Sequence, residues 1–188
     1  FDEGDVNAAD EKASEAMDKF NQLFAIVSVE NYGAEKKYVY NEEHLEVLLK
    51  RIGFSQALID EAKEQARKTA IDRTLSFKKI SGSDGIYYKA LITIVVKNAA
   101  NTIGVIEPKS LKIIEMIPKE FAETASEITG KNFTVIVDDP VLEWNVSLET
   151  GEEATIVYAL KSELTAEQAD EMLNSEILNK FSVPPVLV

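Results

Sequence analysis

Asp138 and Asp139, adjacent and followed by Pro140, are the residues of this chain best suited to hold a hard cation. Calcium draws several oxygen ligands from loops at strand ends, and Asp84 and Glu107 are further donors of that type. No DxDxDG spacing accompanies them, and turn formation before Pro140 is the competing account of both aspartates. The single histidine, His44, stands among Glu42, Glu43 and Glu46; its spacing matches no ligand pattern and it reads as a solvated surface side chain. The sequence therefore calls for no cofactor, with calcium at Asp138 and Asp139 as the one candidate.

Two Asn-X-Ser/Thr triplets supply a different chemistry. Asn132-Phe133-Thr134 and Asn145-Val146-Ser147 are acceptors for N-glycosylation wherever their asparagines reach an accessible surface. In the second, Leu142, Trp144 and Val146 take one parity of a strand, which leaves Asn145 on the other and pointing outward. Trp144 on the inward parity reads as core rather than as a ligand platform. Tyr32, Tyr38 and Tyr40 form an aromatic group in a polar connection, where amphipathic rings suit contact with a sugar or a protein; packing of that connection on the rest of the domain is the alternative.

Nucleophilic catalysis has little to draw on. There are no cysteines and one histidine, which removes thiolate zinc sites, disulfide frameworks and multi-histidine metal clusters. Neither GxSxG nor SxxK stands in a strand-turn-helix setting, and the glycines form no phosphate-cradling cluster. With 33 Asp and Glu residues, no particular carboxylate pair is singled out for acid–base work. The net charge of -13 over 188 residues excludes the basic stripe that nucleic acid requires, and equally a polybasic mode of membrane attachment. No apolar run approaches the roughly 20 residues of a membrane helix. The chain begins at Phe1, as a processed piece of a longer protein would, so a leader or a membrane tether could lie outside it.

The elements that must position these residues follow from periodicity. Ala9, Ala13, Ala16, Phe20, Leu23 and Val27 step by four and three, which predicts a helix over 8–27. Its stripe fits either a short coiled coil joining two copies or a helix packed on its own domain, and two heptads favour the second. Asn41 caps a second helix that stops near Gly53, and Ser55 caps a third, in which Leu58, Ala62, Ala66 and Thr69 share a face. From Ile86 onward the period becomes two: Ile86, Tyr88, Ala90, Ile92, Ile94 and Val96 alternate with polar residues. A hairpin through Gly82 and Gly85 precedes this strand, and further strands are expected at 103–106, 111–117, 133–137, 141–146 and 154–161. Thr165 and Gln168 form a capping box for a short final helix, after which PPVLV is either an edge strand or the start of a linker.

The reading is an α+β chain: a helical subdomain over 1–74, an antiparallel sandwich over 75–161, and a short helix with a tail over 162–188. The runs LKIIEMIPKEFAETASEI and DDPVLEWNVSLETGEEATIVYAL resemble immunoglobulin-like repeats of archaeal cell-surface proteins, relatives of conserved-repeat and adhesion-type domains. The matching features are Ile117-Pro118 at a strand end, the Trp144 strand, and the turn Thr150-Gly151-Glu152 leading to Tyr158. Thr150 stands where that pattern usually has Pro. The resemblance covers about 75–161 and implies an extracellular, membrane-tethered structural or adhesive protein with no enzymatic activity. Its partners would be proteins or glycans of the cell envelope, with a second copy joined through helix 8–27 as a further option.

Overall fold

The computed structural model describes residues 12, 14–15, 26–38, 42–68, 70–98, 109–149, 151–181 and 186–187. Two antiparallel sheets pack face to face. The larger is ordered β1 (Ile26–Lys37), β2 (Ala70–Gly82), β3 (Gly85–Lys97), β8 (Glu153–Leu160), β5 (Ile128–Gly130). The smaller is ordered β6 (Phe133–Val137), β7 (Val141–Leu148), β4 (Lys109–Met116), β9 (Val186–Leu187). The α+β class and the antiparallel pairing expected from the sequence are both present.

Alternation explains the packing. Tyr88, Ala90, Ile92, Ile94 and Val96 of β3 are buried between the sheets, opposite Leu111 and Ile113 of β4 and Leu142 and Trp144 of β7. Ile86 shares their parity but is 59% exposed, at the hairpin end of the strand. β2 and β3 pair without a break from Ala70↔Lys97 to Gly82↔Gly85, and Gly85 supplies a φ of 141° where the hairpin reverses.

The second and third helices stand where the sequence places them, as α1 (Glu42–Arg51) and α2 (Gln56–Lys68). They cover the outer face of the smaller sheet. Leu45, Leu48, Leu49, Ile59 and Ala62 close over Ile114 and Val141, which point away from the sandwich interior. The contact face of α2 thus runs through Ile59 and Ala62, and Leu58, expected on it, is 43% exposed. Helices α3 (Ala166–Asn174) and α4 (Ile177–Lys180) instead join the sandwich core, through Ala169, Leu173, Ile177 and Phe181. The capping box of α3 is formed, with Gln168 N donating to Thr165 Oγ1 and Thr165 N to Gln168 Oε1.

The N-terminal part corrects the sequence reading. The segment 26–37 is not helical: it is β1, an edge strand paired with β2. Its residues are largely exposed, so no burial rhythm marks it as a strand. The expected helix over 8–27 lies mostly outside the described residues; Lys12, Ser14 and Glu15 are helical, whereas Ile26 and Val27 are strand. The boundary expected at 74/75 falls inside β2. The strand expected at 103–106 is outside the described residues, and Val186–Leu187 takes the edge-strand option, beside β4.

Asn98, 3% exposed, ties the end of β3 to the turn that carries the chain from β7 to β8. Its backbone N donates to Glu152 O (3.0 Å) and its O accepts from Gly151 N (2.9 Å). Its side-chain amide donates to the carbonyls of Leu148 (3.4 Å) and Glu149 (3.3 Å). Replacing Asn98 with Ala removes both side-chain bonds, Glu149 O keeping its bond from Glu152 N, and the expected loss is about 1–2 kcal/mol in urea unfolding.

On the helical hairpin, Glu46 accepts from Lys50 and Lys63, which hold its carboxyl down at about 2, below the ordinary 4.5. A carboxyl lowered in the folded state stabilises above the unfolded value and loses that contribution as pH falls. The contacts between α1 and α2 are therefore expected to weaken from about pH 4.5 to about 2. Because Glu46 is solvent-facing the effect is small. Far-ultraviolet circular dichroism of wild type against Glu46→Gln across that range checks it, with the variant showing the flatter profile.

Candidate functional site

The sandwich interior holds a polar cluster. Arg73 of β2 and Glu115 of β4 face each other across the two sheets, 2% and 0% exposed, with Arg73 Nη2 donating to Glu115 Oε2. Tyr158 of β8 donates its hydroxyl to the other oxygen, Glu115 Oε1, at 2.7 Å. The guanidinium lies between the rings of Tyr38 (4.9 Å) and Phe181 (5.4 Å). Burial pushes the Glu115 carboxyl up, against the pull of Arg73 and the Tyr158 hydroxyl, and burial likewise holds the Tyr158 hydroxyl well above its ordinary value. These groups are sealed from solvent, so their chemistry is cohesion between sheets.

Sequence reasoning missed this cluster, although a signal existed. Arg73 falls on the parity of Leu75 and Phe77, and Glu115 on that of Leu111 and Ile113. A charge on the apolar parity of two separate strands is the mark of a cross-sheet pair.

Next to this interior lies the flank where the chain turns from the larger sheet into the smaller. Only Lys131 and Asn132 separate β5 from β6, and Asn132 takes a left-handed φ of 59°, a conformation that asparagine tolerates. Gly130 is needed just before it: a Cβ there would stand 3.0 Å from Tyr158 Cβ. Trp144 anchors the corner, donating from Nε1 to Lys131 O at 3.1 Å. Its ring meets Phe133 edge-on (5.9 Å) and stacks on Tyr158 (5.6 Å, 27° between planes). Trp144 is thus core, as its parity predicts.

This corner borders an open cavity of about 680 Å³, whose wall includes Thr129, Lys131, Asn132, Asn145 and Thr155. Both glycosylation candidates are exposed, and they stand on the same cavity. Asn145 Nδ2 lies 3.4 Å from Glu143 Oε1, itself bridged to Lys112 at 3.3 Å. Among the described residues Lys131 is the exposed ionisable group of the wall, and the exposed Thr129, Asn132, Asn145 and Thr155 stand beside apolar surface from Val146, Ala154 and Val157. Such a surface suits hydrogen bonding to a neutral polar group, or carriage of a glycan.

The other candidates are placed apart. Asp138 Oδ1 accepts from Ala125 N at 3.2 Å and so braces a short helical turn, while Asp139 is held by Arg51 and by Lys119 (2.7 Å). Two cations satisfy the carboxylate that calcium would need. No group of three or more metal-ligating side chains gathers among the described residues. Asp84 is in the β2–β3 turn; Glu107 and Tyr40 lie outside the described residues, and His44 falls within α1.

Tyr32 and Tyr38 are turned to packing rather than presented to a ligand. Tyr32 donates to Asp170 Oδ1 (2.7 Å) and meets Tyr88 edge-on at 4.5 Å, which ties β1 to α3; that hydrogen bond is the first cause of its raised pKa. Both rings pack against the main core. A groove of 450 Å³ beside α3 and α4 carries Glu120, Glu171, Glu176 and Lys180, with Glu120 lowered by its hydrogen bond from Lys180. Among the described residues no helix is long and apolar enough to cross a membrane.

Replacing Glu115 with Gln leaves Arg73 buried without its counter-charge, and about 3–5 kcal/mol of stability is expected to be lost. The double change Arg73→Met with Glu115→Leu is expected to recover most of it, and denaturant unfolding of the three proteins measures both. Compared with family models, with curated proteins and with solved structures, the chain matches none of them.

Proposed function

We propose that this chain is a non-enzymatic module of the cell surface, architectural or adhesive, and that Asn132 and Asn145 carry its glycans. The observation that carries the reading is the placement of the two acceptors. Both are exposed, both border one cavity, and Asn132 sits on the two-residue corner between β5 and β6. The ordered polar chemistry of the interior supports it too, since the Arg73–Glu115–Tyr158 cluster joins the sheets instead of facing a substrate.

The immunoglobulin-like reading belongs here as a proposal about architecture. An immunoglobulin domain arranges its seven strands as A-B-E-D and C-F-G. With β1 and β9 set aside, that order would run β2-β3-β6-β5 and β4-β7-β8; this chain has β2-β3-β8-β5 and β4-β7-β6. We read it as a variant of that sandwich in which β6 and β8 have exchanged places. A second reading, binding of a free envelope glycan, is favoured by the exposed Thr129, Asn132, Asn145 and Thr155 set beside apolar surface in the same cavity. Calcium has less to support it, because Asp139 is already paired with Arg51 and Lys119.

Limited proteolysis of intact source cells tests the proposal, with mass spectrometry of the released peptides. Peptides from 86–161 are expected without lysis, with added hexose-type mass on those containing Asn132 or Asn145. Recovery only after lysis, with both asparagines unmodified, would sink the surface assignment. Titration calorimetry with envelope oligosaccharides separates the second reading: heat of binding lost in Asn145→Ala favours a lectin-like role.

A further inference from the structure

The outer face of the larger sheet carries an arrangement that neither its fold nor the glycosylation corner uses. Lys78 and Lys89 are register partners on β2 and β3, so two lysines stand opposite each other, Lys78 reaching toward β1 and Lys89 toward the end of β8. Lys161, just past β8, continues the row: Lys89 Nζ donates to its carbonyl. Asn31, the register partner of Lys78 on β1, begins it and accepts from Lys78 Nζ. Three lysines thus cross neighbouring strands as a band perpendicular to them.

Like charges directly opposite on adjacent strands destabilise a sheet. In a chain of net charge -13, carboxylates to relieve them are abundant, yet these three lysines contact neutral oxygens. Lys161 Nζ donates to Ser126 O at 2.6 Å, and Lys89 lies 6.0 Å from the ring of Tyr87. Toward the hairpin end, the Tyr87 hydroxyl is raised by burial first and then by the charges of Glu163 and Asp84.

Aliphatic rows flank the band. Val29 and Ile80 pair on one side, and Leu91 and Ala159 on the other. Together with the lysines they line a shallow trough of 460 Å³, and Val29 is 56% exposed. The smaller sheet has its outer face covered by α1 and α2, whereas among the described residues this trough is open.

We propose that the trough is a docking site for an acidic, aliphatic peptide segment of a partner protein, its carboxylates on Lys78, Lys89 and Lys161 and its apolar side chains on Val29, Ile80 and Leu91. Charge complementarity selects the partner: a cationic band with apolar margins matches a segment that alternates carboxylate and aliphatic side chains. The overall negative charge does not prevent this, because charges beyond about 8–10 Å are screened at physiological salt. The inference is independent of whether the chain works at the cell surface.

The test uses the full chain and a short fluorescein-labelled peptide of alternating Glu and Leu, with its Lys and Leu counterpart as control. Fluorescence anisotropy is expected to register binding of the Glu peptide alone, weakening as salt rises. The triple variant Lys78→Gln, Lys89→Gln, Lys161→Gln is expected to bind about tenfold or more weakly. Without peptide, that variant is expected to melt at or above the wild-type temperature, since like-charge repulsion has been removed. Failure of the Glu peptide to bind, equal binding by the triple variant, or a marked fall in its melting temperature would each overturn the proposal. Sedimentation velocity covers the other occupant: a wild-type dimer dissolved by Lys89→Glu would assign the trough to a second copy and overturn the proposal as stated.

Discussion

The buried contact between Arg73 and Glu115 is the constraint around which the sandwich is arranged. A guanidinium and a carboxylate removed from water are tolerable only when each is compensated, and compensation fixes relative position in a way that apolar packing does not. Arg73 on β2 and Glu115 on β4 set the two sheets against each other, and Tyr158 adds β8 to the same point. The rings of Tyr38 and Phe181 lie against the guanidinium, so β1's exit and the C-terminal helices are drawn to one place. Through Tyr158 and its stack on Trp144, that placement extends to the corner that displays Asn132.

Much of the sandwich was legible because alternation is a local signal. β3 could be read from Tyr88, Ala90, Ile92, Ile94 and Val96, and β7 from Leu142 and Trp144, since every second residue of each meets the same interior. The capping box at Thr165 was readable for the same reason, its partners being three residues apart. β1 was not readable. Val27 and Val29 are exposed on an edge, so the strand owes its conformation to the backbone of β2, a partner distant in sequence.

The candidate site divides along the same line. That Asn145 faces outward followed from parity within one strand, whereas the neighbourhood of Asn132 and Asn145 required knowing that β5 and β8 share one sheet while β6 and β7 share the other. Asp138 and Asp139 show the converse: their types suit calcium, and only the tertiary structure places Arg51 and Lys119 beside Asp139. Residue type announces what chemistry is available, and only the tertiary partner decides whether it is spent. Lys78 and Lys89 illustrate this as well, being ordinary strand lysines until their register is known.

The order of strands also bears on how the chain reaches this state. β2 and β3 form a hairpin from adjacent sequence, but the next strand across, β8, follows only after β4, β5, β6 and β7. Local pairs form readily and distant ones slowly, because the intervening loop must be closed before its contacts repay the entropy. The free edge of β3, lined by Ile92, Ile94 and Val96, is therefore open to any passing strand throughout the interval. During synthesis this leaves an early hairpin waiting for a late neighbour, and a chaperone that shields β3 until β8 emerges would act at the most vulnerable moment of the pathway.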